Sequence, residues 1–552
     1  MYPAADLSPP EVAECATADA ACTLGFAPLR SPEVAALDAA LVREAWPLVR
    51  VERPDHPEAL ATSATASLLP GPPSDGGPYR HEVVAEIDGP MSPRGSRARA
   101  EGTGPWSPEE VFSALGVAPY HRQGFYGQGV KIAVFDIQFQ GWELDLPELG
   151  AVQTHDCYRH PSCERPIDGL RVRNSFEFGA HGVACAEVIR DIAPEAELHL
   201  VQVTGGVTLE NAVDWAIRNE IDLVSMSLSY FGESFSDGTG PVNAQMDRLA
   251  AAGVQMVTSA GNYAAEHHAG TFRDTDGDRI HEQADGTERL QFEWSAGLRR
   301  LQLSWDQFGS CETDLDVYVF DEQGRLVGRG IERQQAGDRG CQAVERVAVD
   351  AANDGIYEVL IHRVSGPQPV DFEVYGRSGR ALQWVPEGSI TDPGSHPAVF
   401  TVGAANATDY LRNDAEGFSS WGPTRNGLDK PDLVGPDGLS TSAYGGLGFY
   451  GTSASTPAVT AALALLMSAR PGLSGAEAAQ VLRSTAWTTA PVGGPADPQL
   501  GAGHARLPDP AGRALGCGQG HIFGSSVFVT VLMGMRRRKS GPVAPPNRPP
   551  LR

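Results

Sequence analysis

The sequence predicts an α/β fold: a mainly parallel sheet with helices on both faces, interrupted by an antiparallel β-sandwich. Three observations carry that reading. Apolar strands alternate with apolar helices on either side of a long interval. Within the interval the hydrophobic period changes to two. Two of the outer strands end in an Asp and an amide, at the edge where parallel strands open onto a shared crevice. With 552 residues the chain exceeds one ordinary core, so several domains are expected.

The elements follow in order. Residues 1–30 contain Pro, Asp and Glu but no apolar core segment, so no signal peptide is read there. Export is expected to start upstream of Met1 or to use another route. Pro32–Trp46 fits an amphipathic helix, and Pro54–Pro105 is rich in Pro, Gly, Ala and Ser. Gly127-Gln128-Gly129 is a turn signal, after which Lys131–Phe135 runs apolar into Asp136. Gly179-Ala180-His181-Gly182 leads into the short apolar helix Val183–Ile189. Val254–Thr258 reads as another strand and ends in Ser259-Ala260-Gly261-Asn262.

Gly451-Thr452-Ser453-Ala454-Ser455-Thr456-Pro457 opens an almost uninterrupted apolar helix reaching Met467. Such a helix must be buried, so Ser453 stands in the first turn of a core helix. Unpaired N–H groups and the positive end of the dipole favour negative charge there. Two readings of Ser453 are open: a helix cap, or a nucleophile served by a base and an orienting acid.

Taken together, these motifs resemble the subtilisin-like serine proteases, the subtilases, over roughly Pro105–Tyr263 and Thr391–Leu507. Asp136, His181 and Ser453 match the family's triad in its chain order, and Asn262 matches its oxyanion-hole amide. Ser225-Met226-Ser227-Leu228 resembles its substrate strand. Ser227, Leu228 and Ser229, with Ala260 and Gly261, are therefore expected to hold substrate. Phe418–Thr424 and Lys430-Pro431-Asp432 resemble the run before the nucleophile. Four departures stand out. Asp136 precedes Ile137-Gln138-Phe139 instead of a small residue and Gly; His181-Gly182 is followed by Val; Ala454 replaces a Met; Ser229 replaces a Gly that often lines the specificity pocket.

The resemblance implies a serine endopeptidase working through an acyl-enzyme, with protein or peptide substrates and no cofactor for the chemistry. The alternative is a catalytically silent subtilase fold that binds peptides at a surface. The resemblance and the period-two interval together divide the chain into 1–105, an N-terminal segment expected to hold a pro-region and linker; 106–270, the first part of the catalytic domain; 271–380, the inserted sandwich; 381–515, the second part; and 516–552, an apolar and basic tail.

In the insert, Leu290–Trp294, Leu301–Trp305, Leu315–Phe320, Tyr357–His362 and Val370–Tyr375 alternate with period two. No triad or oxyanion group lies there, so its removal is expected to spare cleavage of short peptides. Asp274, Asp276 and Asp278 surround a Gly turn and suit either structural Ca2+ or a solvated acidic turn. Cys15/Cys22, Cys157/Cys163 and Cys311/Cys341 are spaced for disulfides, which points to an extracellular or cell-surface location. Cys185 reads as a buried free thiol. The net charge of −26 argues against nucleic acid as a partner. Finally, Cys517, the apolar run Ile522–Met535 and the basic Arg536–Lys539 resemble a sorting tag, implying attachment to a cell surface or membrane.

Overall fold

The computed structural model describes residues 86–87 and 107–510, apart from 144–145, 168–178, 337–340, 368, 409, 413, 446–447 and 489–495. The readings for Cys15, Cys22, Cys517 and the apolar-basic tail lie outside the described residues.

Seven parallel strands form the central sheet. Their spatial order is Leu433–Asp437, Phe400–Asn406, Gln255–Ser259, Leu223–Met226, Lys131–Asp136, Glu197–Gln202 and Val152–Asp156. Side chains alternate across a strand, and here both faces are covered. Ile132 and Val134 point into a core shared with the helices His181–Ile192, Thr452–Ala469 and Gly475–Ser484. Ala133 and Phe135 enter a second core with the helices Gly206–Arg218 and Gly240–Ala251. Burial on both faces explains why the inner strands Lys131–Asp136 and Leu223–Met226 carry apolar residues at successive positions, whereas the edge strand Val152–Asp156 is mostly polar and only partly buried. Thr452–Ala469 has the length and apolarity of a membrane span, yet 89% of it is buried inside the fold. It is the core helix the sequence calls for.

Two antiparallel sheets lie between residues 267 and 381. One has four strands, in the order Val344–Ala351, Gly297–Trp305, Asp371–Arg377 and His267–Thr271. The other has five: Leu326–Gly330, Asp314–Phe320, Gly355–Ser365, Leu290–Trp294 and Gly379–Ala381. Leu301, Leu303 and Trp305 from the first meet Phe292, Trp294, Val317 and Val359 from the second in one core. Burial alternates along Leu290–Trp294, as the period-two pattern requires. Cys311 and Cys341 are bonded with Cα atoms 6.2 Å apart, and Cys157 and Cys163 with Cα atoms 4.4 Å apart. Among the described residues, Cys185 is a buried free thiol.

Candidate active site

The edge of the sheet where its parallel strands end gathers the residues singled out above. Asp136 ends its strand fully buried, and its Oδ2 lies 2.7 Å from His181 Nδ1. A carboxylate can only accept, so Nδ1 carries the proton and Nε2 of a neutral ring is left as a base. That Nε2 is buried and has no hydrogen-bond partner. The unusual residues after Asp136 turn back onto the His helix. Gln138 N–H donates to Asp136 Oδ1 (2.9 Å), and Gly182 N–H donates to the Gln138 carbonyl (2.8 Å). Phe139 then packs so closely that a Cβ on Gly182 would sit 2.5 Å from its ring and 2.7 Å from Asp136 Cβ. Phe449 meets the imidazole edge-on at 5.5 Å and is itself stacked on Tyr444.

Ser453 is the second residue of the core helix and is fully buried. Pro457, four residues on, has no N–H to offer, so the Ser453 carbonyl is released from the helical ladder. It accepts instead from Ser227 Oγ at 3.2 Å and from Cys185 Sγ at 3.7 Å. Cys185 Sγ also lies within 4.8 Å of the polar atoms of both Asp136 and His181. The His helix, the strand end and the Ser453 turn thus converge on one buried point. Burial pushes the Cys185 thiol well above its usual range, so it is a neutral donor.

Asn262 is fixed from the same helix start. Its Oδ1 accepts from both Thr452 N and Thr452 Oγ1, each at 3.0 Å, and Nδ2 is left buried without a partner. Gly451 adopts φ 108°, and a Cβ there would fall 2.9 Å from Asn262 Nδ2, so only glycine fits. Asp437 anchors the approach, accepting from Gly451 N at 2.8 Å. Ser455, by contrast, spends its hydroxyl on the Gly435 and Pro436 carbonyls, both 3.1 Å away.

Against this geometry, the sequence profile described as Subtilase family matches residues 127–287 and 383–518. The chain belongs to the subtilase family. The family is one of serine-type peptidases, and the matched segments stop on either side of most of the two antiparallel sheets. This subtilase is 26% identical over 157 residues to Subtilisin E of Bacillus subtilis (strain 168) and, equally, to Subtilisin J of Geobacillus stearothermophilus. Each alignment spans 27% of this chain and 39% of the relative. Against Subtilisin of Bacillus pumilus the identity is 25%, covering 54% of that protein. Among solved structures, the CspB protease of Clostridium perfringens superposes with a TM-score of 0.52 at 17% identity, over 73% of this chain and 98% of that one. That likeness concerns the fold.

The residues expected from the sequence to hold substrate are all buried: Ser227, Leu228, Ser229, Ala260 and Gly261. Thr391, which the motif reading passed over, donates from Oγ1 to Ser229 Oγ at 2.8 Å, both side chains being inaccessible. On the outer edge, residues 86–87 pair antiparallel with Leu228 and Ser229. Asp274, Asp276 and Asp278 follow the sandwich strand His267–Thr271, with carboxylate oxygens within 4.8 Å of one another. There Asp274 accepts from Gly277 N (2.7 Å) and pairs with Arg363 (3.3 Å). Thr391 and Phe449 carry no motif, and Thr452, although inside the Gly-Thr-Ser motif, gives no sign in the sequence of its hold on Asn262. The one local signal was Pro457, placed four residues after the serine.

Proposed function

We propose that this subtilase is a secreted or surface-attached serine endopeptidase, with Ser453 as nucleophile, His181 as general base and Asp136 as its orienting acid. The observation that best supports it is the 2.7 Å Asp136–His181 contact, which leaves a bare imidazole nitrogen beside the Ser453 helix start. Ser453 Oγ attacks the scissile carbonyl while His181 Nε2 takes its proton. Asp136 keeps the proton on Nδ1 and stabilises the imidazolium. The oxyanion that forms is held by Asn262 Nδ2 and the Ser453 N–H, at the positive end of the core helix. The protonated His181 then returns its proton to the leaving amine, and water hydrolyses the acyl-enzyme.

Substrate lies along Ser227–Ser229 and Ala260–Gly261. The Ser229–Thr391 hydroxyl pair occupies the space that a glycine would leave open, so the residue before the cut is small. Residues 1–105 include a pro-region; the pairing of 86–87 with the Leu228–Ser229 strand supports this, because an extended segment already lies along the substrate edge. Residues 271–380 form an inserted sandwich between two catalytic parts, 106–270 and 381–515. Asp274, Asp276 and Asp278 bind a structural Ca2+. The disulfides favour an oxidising exterior, and the tail 516–552 attaches the protein to a surface.

Labelling with a fluorophosphonate, followed by peptide mapping, tests the central assignment. Modification of Ser453 that is lost in His181→Ala supports it. A folded chain that resists the reagent and binds peptides uncut supports the silent-fold alternative.

A further inference from the structure

We propose that Arg377 and Tyr375 of the sandwich are positioning residues for Asn262, so that the inserted sheets complete the catalytic centre instead of merely standing beside it. The proposal rests on the reading of Asn262 as the oxyanion donor.

The observations start with a buried aromatic cluster. Phe231 and Tyr263 come from the catalytic part and Tyr375 from the four-stranded sandwich sheet, and all three are buried. Their ring centroids are 5.0 Å (Phe231–Tyr263), 5.1 Å (Phe231–Tyr375) and 5.9 Å (Tyr263–Tyr375) apart, every pair edge-to-face. The Arg377 guanidinium lies against two of these rings, 4.5 Å from the Phe231 centroid and 4.4 Å from that of Tyr263. Its side chain is 13% exposed and pairs with Glu266 at 3.5 Å. A planar cation held by two ring faces in a nearly dry site fixes both rings, and a lysine ammonium cannot stack in that way.

These two rings occupy decisive places in the chain. Phe231 is two residues beyond Ser229 on the substrate strand, and Tyr263 directly follows Asn262. The Tyr263 ring lies over Gly261, where a Cβ would come within 2.6 Å of its ring carbons. Asn262 is therefore flanked by a residue that carries the ring and a residue that the ring covers. Ser420 staples the same turn, donating from its N–H to the Gly261 carbonyl (2.8 Å) and accepting from Tyr263 N at 3.2 Å. On the opposite side Asn262 Oδ1 is held by Thr452. If the ring shifts, the turn loosens and Nδ2 moves relative to Ser453. The proposal predicts the opposite of the expectation that removing the sandwich spares short-peptide cleavage.

The test uses the full chain and a short chromogenic peptide. Arg377→Met and Arg377→Lys are made in the wild type and in Asn262→Ala, with Arg289→Ala as a sandwich variant remote from the cluster. Folding is followed by Tm and by retention of the Cys311–Cys341 bond. Arg377→Met should lower kcat about tenfold with little change in KM, a fraction of the cost of losing an oxyanion donor outright. Arg377→Lys should fall between, and Arg289→Ala should match the wild type. In the Asn262→Ala background the same Arg377→Met change should cost less than about twofold, because the group it positions is gone. An unchanged kcat with a lowered Tm would reduce Arg377 to a structural anchor and overturn the proposal. Equal losses in both backgrounds would overturn it too, since Arg377 would then act independently of Asn262. Should Arg377→Met fail to fold, the Arg377→Lys pair supplies the same cycle. Fluorophosphonate labelling of Ser453 in every variant separates this outcome from failure of the underlying reading, which an unlabelled wild type would show.

Discussion

Pro457 illustrates how a single residue type shapes chemistry at a distance. Its missing N–H leaves the Ser453 carbonyl open to Ser227 and Cys185, and this ties the helix start to the Ser225–Ser229 segment and the His helix. At this scale the two serines of the motif differ plainly. Ser453→Ala should abolish hydrolysis with Tm unchanged. Ser455→Ala should keep most of the rate and lose about 1 kcal/mol of stability, since its hydroxyl bonds two carbonyls. Steady-state kinetics with thermal melts decide it, and the reverse pattern would move the nucleophile to Ser455. A second expectation follows from the buried Ser229–Thr391 pair. Peptides with Ala before the cut should be hydrolysed faster than those with Phe, and Ser229→Gly with Thr391→Gly should narrow or invert that ratio. A wild type that already prefers Phe would rule the closed pocket out.

Among the elements, the loop after Asp136 shows how a departure from a family pattern is absorbed. Phe139 fills the space beside Gly182, and Gln138 accepts its N–H, so the strand end and the His helix remain in register. A comparable constraint lies four residues after Ser229, where burial, reinforced by Asp392 and opposed by Arg346, pushes the Glu233 carboxyl up to about 7. The folded chain then keeps a proton that the unfolded chain releases near the ordinary carboxylate range. Stability is full below that range and falls as pH rises through about 7. Glu233→Gln removes the ionisation. It should melt a few degrees above the wild type at about pH 8 and level with it at about pH 4. A melting difference that does not vary with pH would show that Glu233 is not held neutral.

For the whole molecule, the arrangement is two cores on a parallel sheet and a third between antiparallel sheets. The third carries the acidic turn. Gathering Asp274, Asp276 and Asp278 without a cation brings like charges together, so millimolar Ca2+ should raise Tm and a chelator should lower it. Asp276→Asn should weaken that response. A Tm indifferent to Ca2+ would leave the turn a solvated one, held by Arg363 and backbone N–H groups.

The sequence alone determined whatever is written in local chemistry. Apolar runs marked Lys131–Phe135 and Val254–Thr258 in the parallel sheet, period-two runs marked five of the sandwich strands, and the Gly-Thr-Ser start of an almost uninterrupted apolar helix marked Ser453. It passed over Val152–Asp156, Glu197–Gln202, Phe400–Asn406 and Leu433–Asp437 in the parallel sheet, and His267–Thr271, Leu326–Gly330, Val344–Ala351 and Gly379–Ala381 in the sandwich; Gly379–Ala381 is too short for a period to show, whereas Val344–Ala351 does alternate in burial. Only the tertiary structure decided which distant groups meet. Thr391 lies 162 residues from Ser229, and Tyr375 and Arg377 are separated by more than a hundred residues from Asn262 and Tyr263. Such contacts leave no spacing rule behind, because they arise when separate layers close on one another, and the chain between them is free to vary in length.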